Sequence, residues 1–313
     1  MSLLETLLTP FRKIYGFFLY EESSRKVALF RIFIGISVLL TVLSWSNPRL
    51  LFTDAGYFPT DLMQTLQGPL RFSLFFFLRN PTAIVACYYL LLIATICFIF
   101  GILSRIANLV VFVLFLSFIA RNSILGYGGT SILQIILFYS LFLQTDQALV
   151  PKFARPKKQP ATVPGWPLRL IQLQIAIVYI SAATLKLQSL DWVHGTILFS
   201  VLNNPSFSYF DFTPLARFPW IFIFLTYFTL VGELSFIYWV WIPSHRRVAL
   251  GMVAMLHIGL LFTLNVHYFS EIMLCSLTAF LIPTEADWVI ARAKSLWNYL
   301  MGLLRIPKLL PKT

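Results

Sequence analysis

The sequence predicts an all-α integral membrane protein: a polytopic bundle of about eight transmembrane helices, with re-entrant or interfacial helices on its outer side. Of the 313 residues, 58% are hydrophobic and only 12% are charged, whereas soluble domains carry about 25% charged residues. The apolar residues also form runs, and a helix needs ~20 of them to cross a ~30 Å hydrocarbon core. The runs lie near 27–45, 81–100, 106–121, 130–147, 167–188, 218–242, 247–266 and 270–284.

The basic residues favour an even number of spans, with the N- and C-termini in the cytoplasm. In that arrangement the predicted inner segments contain sixteen lysines and arginines, and the predicted outer loops contain five. Such an excess follows the positive-inside rule. The net charge of +12 is therefore interpreted mainly as a signal of how the chain is oriented in a cell membrane. Because the basic residues are dispersed among loops, the predicted partner is the lipid bilayer and not nucleic acid.

The predicted domain organisation has three parts. Residues 1–26 form a cytoplasmic amphipathic segment in which no signal-peptide cleavage site is recognised. Residues 27–285 form the transmembrane domain, with a basic, Pro-rich linker near 151–167. Residues 286–313 form a basic amphipathic tail on the inner leaflet. The three cysteines lie in apolar runs without CxxC or metal-ligand spacing, so neither a metal site nor a disulfide is predicted.

Two predicted outer segments, 46–80 and 189–217, are too long to be simple turns. Each contains an apolar stretch, at 70–78 and at 196–202, that is too short to span the membrane. Irregular backbone at membrane depth is tolerated only where it is buried in protein or lines a water-filled cavity. The sequence therefore predicts a structured outer cap and an outward-facing pocket.

A lysine, Lys186, lies inside a predicted span, in the stretch SAATLKLQSLDWVHG. A charge at membrane depth costs at least ~2.5–3.5 kcal/mol, so it marks a functional site by default. The other ionisable groups within the spans are Arg31, Glu233 and His257. Lys186 and Glu233 are predicted to form a structural ion pair, or a site in which a desolvated, neutral amine acts as a base. Both can hold together.

Arg31 and His257 have simpler predicted roles. Arg31, one turn into the first span, is expected to snorkel or to bind a lipid phosphate. His257 is expected to be neutral and hydrogen-bonded across helices, with proton transfer as the alternative. Gly251 and Gly259 are expected to allow close helix contact there. The sequence has no Walker, GxGxxG, HExxH or GxSxG motif, so ATP hydrolysis, nicotinamide chemistry and zincin-type proteolysis lack support.

Four stretches, in order, resemble one known family. The stretch YISAATLKLQSLDWVHGTILFSVL resembles the horizontally transferred transmembrane (HTTM) domain, the membrane part of vitamin K-dependent gamma-carboxylase and of many bacterial relatives. The family pattern is carried here by Tyr179, Ala182, Ala183, Lys186, Leu187, Trp192 and Gly195. Three further stretches resemble the earlier and later spans of the family. They are LFRIFIGISVLL with LFTDAGYFP, RNSILGYGGTSILQIILFYSLFLQ, and VGELSFIYWVWIPSHRRVALGMVAMLHIGLL. The likeness covers about residues 25–285.

The resemblance implies a chemistry for Lys186. In the carboxylase the corresponding lysine is held to be the base that deprotonates vitamin K hydroquinone. Oxygenation of that quinol yields a strong base, which removes a proton from peptidyl glutamate before carbon dioxide adds. A quinol such as vitamin K hydroquinone is therefore the implied cofactor. The resemblance makes Lys186 the catalytic base, and Glu233 and His257 are the further candidate catalytic residues. The candidate substrate-binding residues are Asp191, Trp192 and His194, near the rim of the predicted outward pocket, with Asn122, Ser123 and Tyr127.

The likeness to the carboxylase itself is incomplete. Ser123 stands where the carboxylase has a histidine, and the gap between Lys186 and Trp192 is one residue longer. Gamma-carboxylation of a secreted protein is not expected without the carboxylase's large outer domain. Three functions stay open: a quinol-dependent or peptide-modifying enzyme, a non-catalytic membrane factor that matures or exports a secreted peptide with a membrane partner protein, and a small-molecule transporter. Stand-alone bacterial members of the family include a factor of the second kind.

Overall fold

The architecture is a bundle of α-helices. The computed structural model describes residues 15–67, 72–155 and 159–303, and 74% of these described residues are helical. Residues 15–18 are helical, and the further α-helices are α1 (Ser24–Leu43), α2 (Pro48–Phe52), α3 (Thr60–Gln67), α4 (Pro81–Phe100), α5 (Ser104–Arg121), α6 (Gly128–Ser140), α7 (Trp166–Lys186), α8 (Leu190–Val193), α9 (Ile197–Leu202), α10 (Pro219–Trp239), α11 (Pro243–Thr263), α12 (Phe269–Ser276) and α13 (Pro283–Leu303). The all-α membrane class is confirmed.

Six of the described helices are long and apolar enough to cross a membrane: α1, α4, α5, α7, α10 and α11. The predicted number of eight spans is not confirmed, although every predicted apolar run contains a helix. The two others are short, since α6 has 13 residues and α12 continues only through a 3₁₀ turn to Phe280. At 1.5 Å per residue α6 is about 20 Å long, less than the hydrocarbon core.

Helix ends follow local sequence signals. Asn80 caps α4 by accepting hydrogen bonds from the backbone N–H groups of Thr82 and Ala83, and Pro81 occupies the first turn, where no N–H is needed. Pro219 and Pro243 likewise occupy the first turns of α10 and α11, although neither helix has a side-chain cap. These signals explain why the predicted and observed boundaries agree closely for α4, with 81–100 expected and Pro81–Phe100 found.

The predicted outer cap, the linker and the described parts of the terminal segments contain helices and a pair of strands. The stretch 196–202 contains α9, and the stretch 70–78 contains a 3₁₀ turn at Leu74–Phe76, with residues 68–71 outside the described part. In the linker, β2 (Thr162–Pro164) pairs antiparallel with β1 (Glu21–Ser23). The predicted C-terminal tail corresponds to α13 up to Leu303, and the remainder of the tail and residues 1–14 of the predicted N-terminal segment lie outside the described residues.

Two expectations about buried groups are wrong. Arg31 neither snorkels nor faces lipid, because its side chain is fully buried and donates hydrogen bonds to the backbone carbonyls of Thr145 and Leu149. The chain after α6 folds back and supplies these acceptors. Gly251 and Gly259 do not mark a close helix contact, since a Cβ at either position would meet nothing within 4 Å.

Candidate functional site

The site lies where α7 ends against α10. Tyr179, Ala183 and Lys186 are spaced i, i+4, i+7 and so share one face of α7. Tyr179 and Ala183 are buried on this face. We call the end of the bundle at which α7 finishes the Lys186 end, and the opposite end, where α7 begins at Trp166, the linker end.

Lys186 and Glu233 form an ion pair between α7 and α10. The Lys186 Nζ donates to both carboxylate oxygens of Glu233, each at 2.5 Å. The two side chains differ in accessibility: that of Lys186 is 23% exposed, whereas that of Glu233 is 6% exposed. A buried carboxylate must be paired to offset its loss of hydration. The Lys186 side chain therefore covers the Glu233 carboxylate, while part of the lysine side chain itself stays exposed.

Trp192 lies over the ammonium. The Lys186 Nζ is 5.1 Å from the centroid of the Trp192 ring, a distance at which the negative face of the ring attracts a cation. The chain makes this approach by turning directly after α7, with the Ser189 N–H donating to the Lys186 carbonyl. The short helix α8 then carries Trp192 back over the end of α7.

Helix α10 fixes the turn that holds Trp192. The Tyr227 hydroxyl donates to the Val193 carbonyl at 2.7 Å, and the Thr226 hydroxyl donates to the Gly195 carbonyl at 3.3 Å. Gly195 has a φ of +77°, in the left-handed region that glycine adopts without strain. The same helix therefore supplies the carboxylate and anchors the segment that covers the lysine.

His257 lies deeper in the bundle, against Tyr179. The Tyr179 hydroxyl and the His257 Nε2 are 3.0 Å apart, and both residues are buried. Phe269 packs at 5.6 Å from the imidazole ring. Among the described residues the His257 Nδ1 has no hydrogen-bond partner. His257 therefore contacts, through Tyr179, the face of α7 that ends at Lys186. Lys186 lies seven residues after Tyr179, or about 10 Å further along the helix.

The other predicted substrate-binding residues are placed differently. Asp191 and His194 are exposed on the turn around Trp192, and no described side-chain contact joins either to Lys186. Asn122 is buried and donates to the Leu51 carbonyl at 3.0 Å. Ser123 and Tyr127 line a separate cavity of about 750 Å³ whose lining does not include Lys186. The structure therefore does not bring these five residues to the ammonium.

Three features at this end of the bundle are not predicted from the sequence. Tyr179 enters the prediction only as part of a motif, although its spacing from Lys186 places both on one helix face. The Arg121 side chain, at the end of α5, is fully buried and lies 3.2 Å from the Asp54 carboxylate. The Glu271 Oε2 is buried without a partner among the described residues; its position near a span boundary was the available signal.

The chemical inventory of the described residues is limited. They contain no group of three or more His, Cys, Asp or Glu side chains that could hold a metal ion. The reactive groups that do lie together are an amine, a carboxylate and an indole ring, with a tyrosine–histidine pair behind them. Such a set can accept, hold and pass a proton.

This fold and this site define a multi-pass α-helical membrane protein with a lysine–glutamate pair between two of its candidate membrane-spanning helices. The sequence model of the family described as HTTM domain matches residues 21–288. The chain therefore belongs to the HTTM domain family, and it is a membrane protein related to gamma-carboxylase-like proteins. Comparison with curated proteins and with solved structures gives no match.

Proposed function

We propose that the chain is a membrane enzyme of the gamma-carboxylase-like type, in which the Lys186 amine takes a proton from a quinol. One observation carries the proposal: of the two paired groups, only the lysine is substantially accessible, at 23% against 6% for the side chain of Glu233. A group that must meet a substrate has to be reachable, whereas a partner that only holds a proton does not. A purely structural pair needs no such asymmetry.

Glu233 can hold the proton that a basic lysine must lose. With both carboxylate oxygens 2.5 Å from Nζ, the proton moves along an existing hydrogen bond. An amine beside a carboxylic acid carries no net charge on either group and avoids the cost of desolvating two ions. In that state the Nζ lone pair accepts the O–H of the Glu233 acid, so the amine can take a substrate proton only once that O–H turns away from it. Trp192 limits the side from which a substrate can approach Nζ.

The surroundings suit a flat, apolar substrate. Besides the Trp192 ring, a largely apolar cavity of about 510 Å³ lies between α9, α10 and α11, within the ~300–1,000 Å³ typical of small-molecule sites. Its lining includes Thr229, one helical turn before Glu233 on α10, and does not include Lys186, Trp192 or Glu233 itself. A bound quinol such as vitamin K hydroquinone would supply an acidic hydroxyl and two reducing electrons. Lys186 and Trp192 would contact its ring, and the cavity would take its apolar part.

The test is oxygen-dependent consumption of a quinol, with molecular oxygen as the oxidant, by the purified chain in lipid nanodiscs. Lys186→Met removes the amine and should lower the rate by at least ~10²-fold, the usual contribution of a positioned base. Lys152→Met, an exposed lysine at the linker end, is the matched control and should leave the rate unchanged. Folded Lys186→Met protein that turns over quinol at the wild-type rate would end the proposal, as would wild-type protein that consumes none.

A second function, maturation of a secreted peptide without catalysis, also has a specific observation in its favour. The segment after α9 exposes Phe207, Tyr209 and Phe210 at the Lys186 end, and exposed aromatic side chains are common at sites that bind peptides. Photo-crosslinking from position 209 tests it. Capture of a discrete peptide or membrane partner, unaffected by Lys186→Met, would favour this function, whereas crosslinks to lipid alone would oppose it.

A further inference from the structure

A second polar cavity lies at the linker end, away from Lys186. It has a volume of about 240 Å³ and lies where β1 and the first turns of α1, α7 and α11 meet the end of α10. Three cationic side chains line it, from Lys26, Arg169 and Arg246, with a single carboxylate, from Glu22. The proposed catalytic site uses none of these residues.

Arg169 carries a charge that no described carboxylate neutralises. Its guanidinium donates to the Phe17 carbonyl at 3.1 Å and to the Gln172 Oε1 at 2.7 Å, both uncharged acceptors. It also lies 4.4 Å from the centroids of the Phe17 and Tyr20 rings and 5.3 Å from that of Trp241. Within the described ranges no acidic group comes within 4.0 Å of it. The rings fix its orientation without balancing its charge.

The nearby carboxylates are already engaged. The Glu22 carboxylate accepts a hydrogen bond of 2.5 Å from the Lys26 Nζ, and both side chains are almost fully buried. Arg246 donates to the Phe280 carbonyl at 2.7 Å and to Glu285 at 2.6 Å. Glu285 in turn is shared with Arg247. The cavity therefore keeps an excess of positive charge in a partly enclosed setting, where an unbalanced cation is costly.

We propose that this cavity binds a phosphate group, held by the guanidinium groups of Arg169 and Arg246. Arginine is the side chain best suited to a phosphate because its planar N–H groups match the phosphate oxygens. Tyrosine and tryptophan at helix ends, here Tyr20 and Trp241, are typical of the lipid headgroup level, and basic pockets between membrane helices bind anionic headgroups. The phosphate can belong to an anionic phospholipid or to a soluble phosphate.

The test compares two probes on the purified full chain in detergent. The first comparison adds phosphatidylglycerol or, as its control, zwitterionic phosphatidylcholine. The second adds inorganic phosphate or, as its control, chloride at equal ionic strength. The readouts are the lipid retained in native mass spectrometry and the thermal unfolding midpoint. Preferential retention of phosphatidylglycerol identifies a lipid as the source of the phosphate, and a shift in midpoint with inorganic phosphate identifies a soluble source. Wild-type protein that responds to neither probe overturns the proposal.

Variants of the arginines that line the cavity test whether the phosphate binds there. Arg169→Gln should weaken binding by about ten- to a hundredfold, the loss expected for one charge-assisted hydrogen bond. Arg105→Gln is the matched control, because Arg105 is exposed at the same end of the bundle and does not line the cavity. Equal binding by these two variants would contradict the proposal. Arg246→Gln gives the same comparison if Arg169→Gln does not fold, because Arg246 contacts the cavity from a different helix.

Discussion

The Lys186 ammonium donates to both carboxylate oxygens of Glu233, 47 residues further along the chain, at 2.5 Å each. The contact joins the last residue of α7 to the interior of α10. The same α10 anchors the turn that carries Trp192. The proposed proton chemistry and the packing therefore both involve one helix pair, and the two contributions have to be separated by experiment.

A double-mutant cycle separates them. We expect Glu233→Leu and Lys186→Met each to destabilise the protein, by about 3 kcal/mol at most, because each leaves one charged partner without its counterion in the bundle. Lys186→Met with Glu233→Leu should recover much of the loss, since an apolar pair replaces a buried ion pair at little cost. The measurement is the unfolding free energy in detergent. A double variant less stable than either single variant would contradict this expectation.

The hydroxyl of Tyr179 gives a second test. Tyr179→Phe should cost about 1–3 kcal/mol, because the buried His257 Nε2 would lose its partner. Tyr89→Phe is the control: Tyr89 is exposed, and its change should be nearly neutral. Adding His257→Leu to Tyr179→Phe should restore stability, as removing both polar partners is cheaper than removing one. If Tyr179→Phe and Tyr89→Phe unfold at the same temperature, the hydrogen bond does not contribute.

The sequence determined some features and not others for physical reasons. The bounds of α4 could be predicted because its signals are local: Asn80 and Pro81 begin it. The partners of Arg31 could not, because its acceptors are backbone carbonyls more than a hundred residues away, and any residue can supply a carbonyl. Pairing of Lys186 with Glu233 could be anticipated, since few opposite charges were available. The contact between Tyr179 and His257 depends on how two helices are rotated, which composition does not specify.

Asp54 predicts a dependence of stability on pH. Burial raises the pKa of its carboxyl, but the hydroxyl and backbone N–H of Thr60 and the guanidinium of Arg121 together outweigh burial and hold the pKa below its usual 3.8. A carboxyl with a lowered pKa in the folded state stabilises the protein above its usual pKa, and this contribution is lost as the pH falls through the folded-state value.

The measurement is the thermal unfolding midpoint between about pH 6 and pH 3. We expect Asp54→Asn to lower the midpoint near neutral pH and to flatten its fall in acid. Asp191→Asn, an exposed aspartate at the same end of the bundle, is a control for loss of one carboxylate. A fall in acid that is equally steep in wild type and in Asp54→Asn would show that other groups cause it.

Two glycines give a matched pair of opposite predictions. At Gly56 a Cβ would lie 2.0 Å from the backbone oxygen of Leu50, and that oxygen is held by the Tyr57 N–H at 2.9 Å. Gly56→Ala should therefore destabilise the protein by about 1–3 kcal/mol, because no side-chain rotation relieves a backbone clash. Gly251→Ala should stabilise it by about 0.5–1 kcal/mol, since alanine is the better helix former and nothing lies within 4 Å of the added carbon. The thermal unfolding midpoints of the two variants in the same detergent test both predictions. A Gly56→Ala protein as stable as the Gly251→Ala protein would mean that the turn before α3 can open.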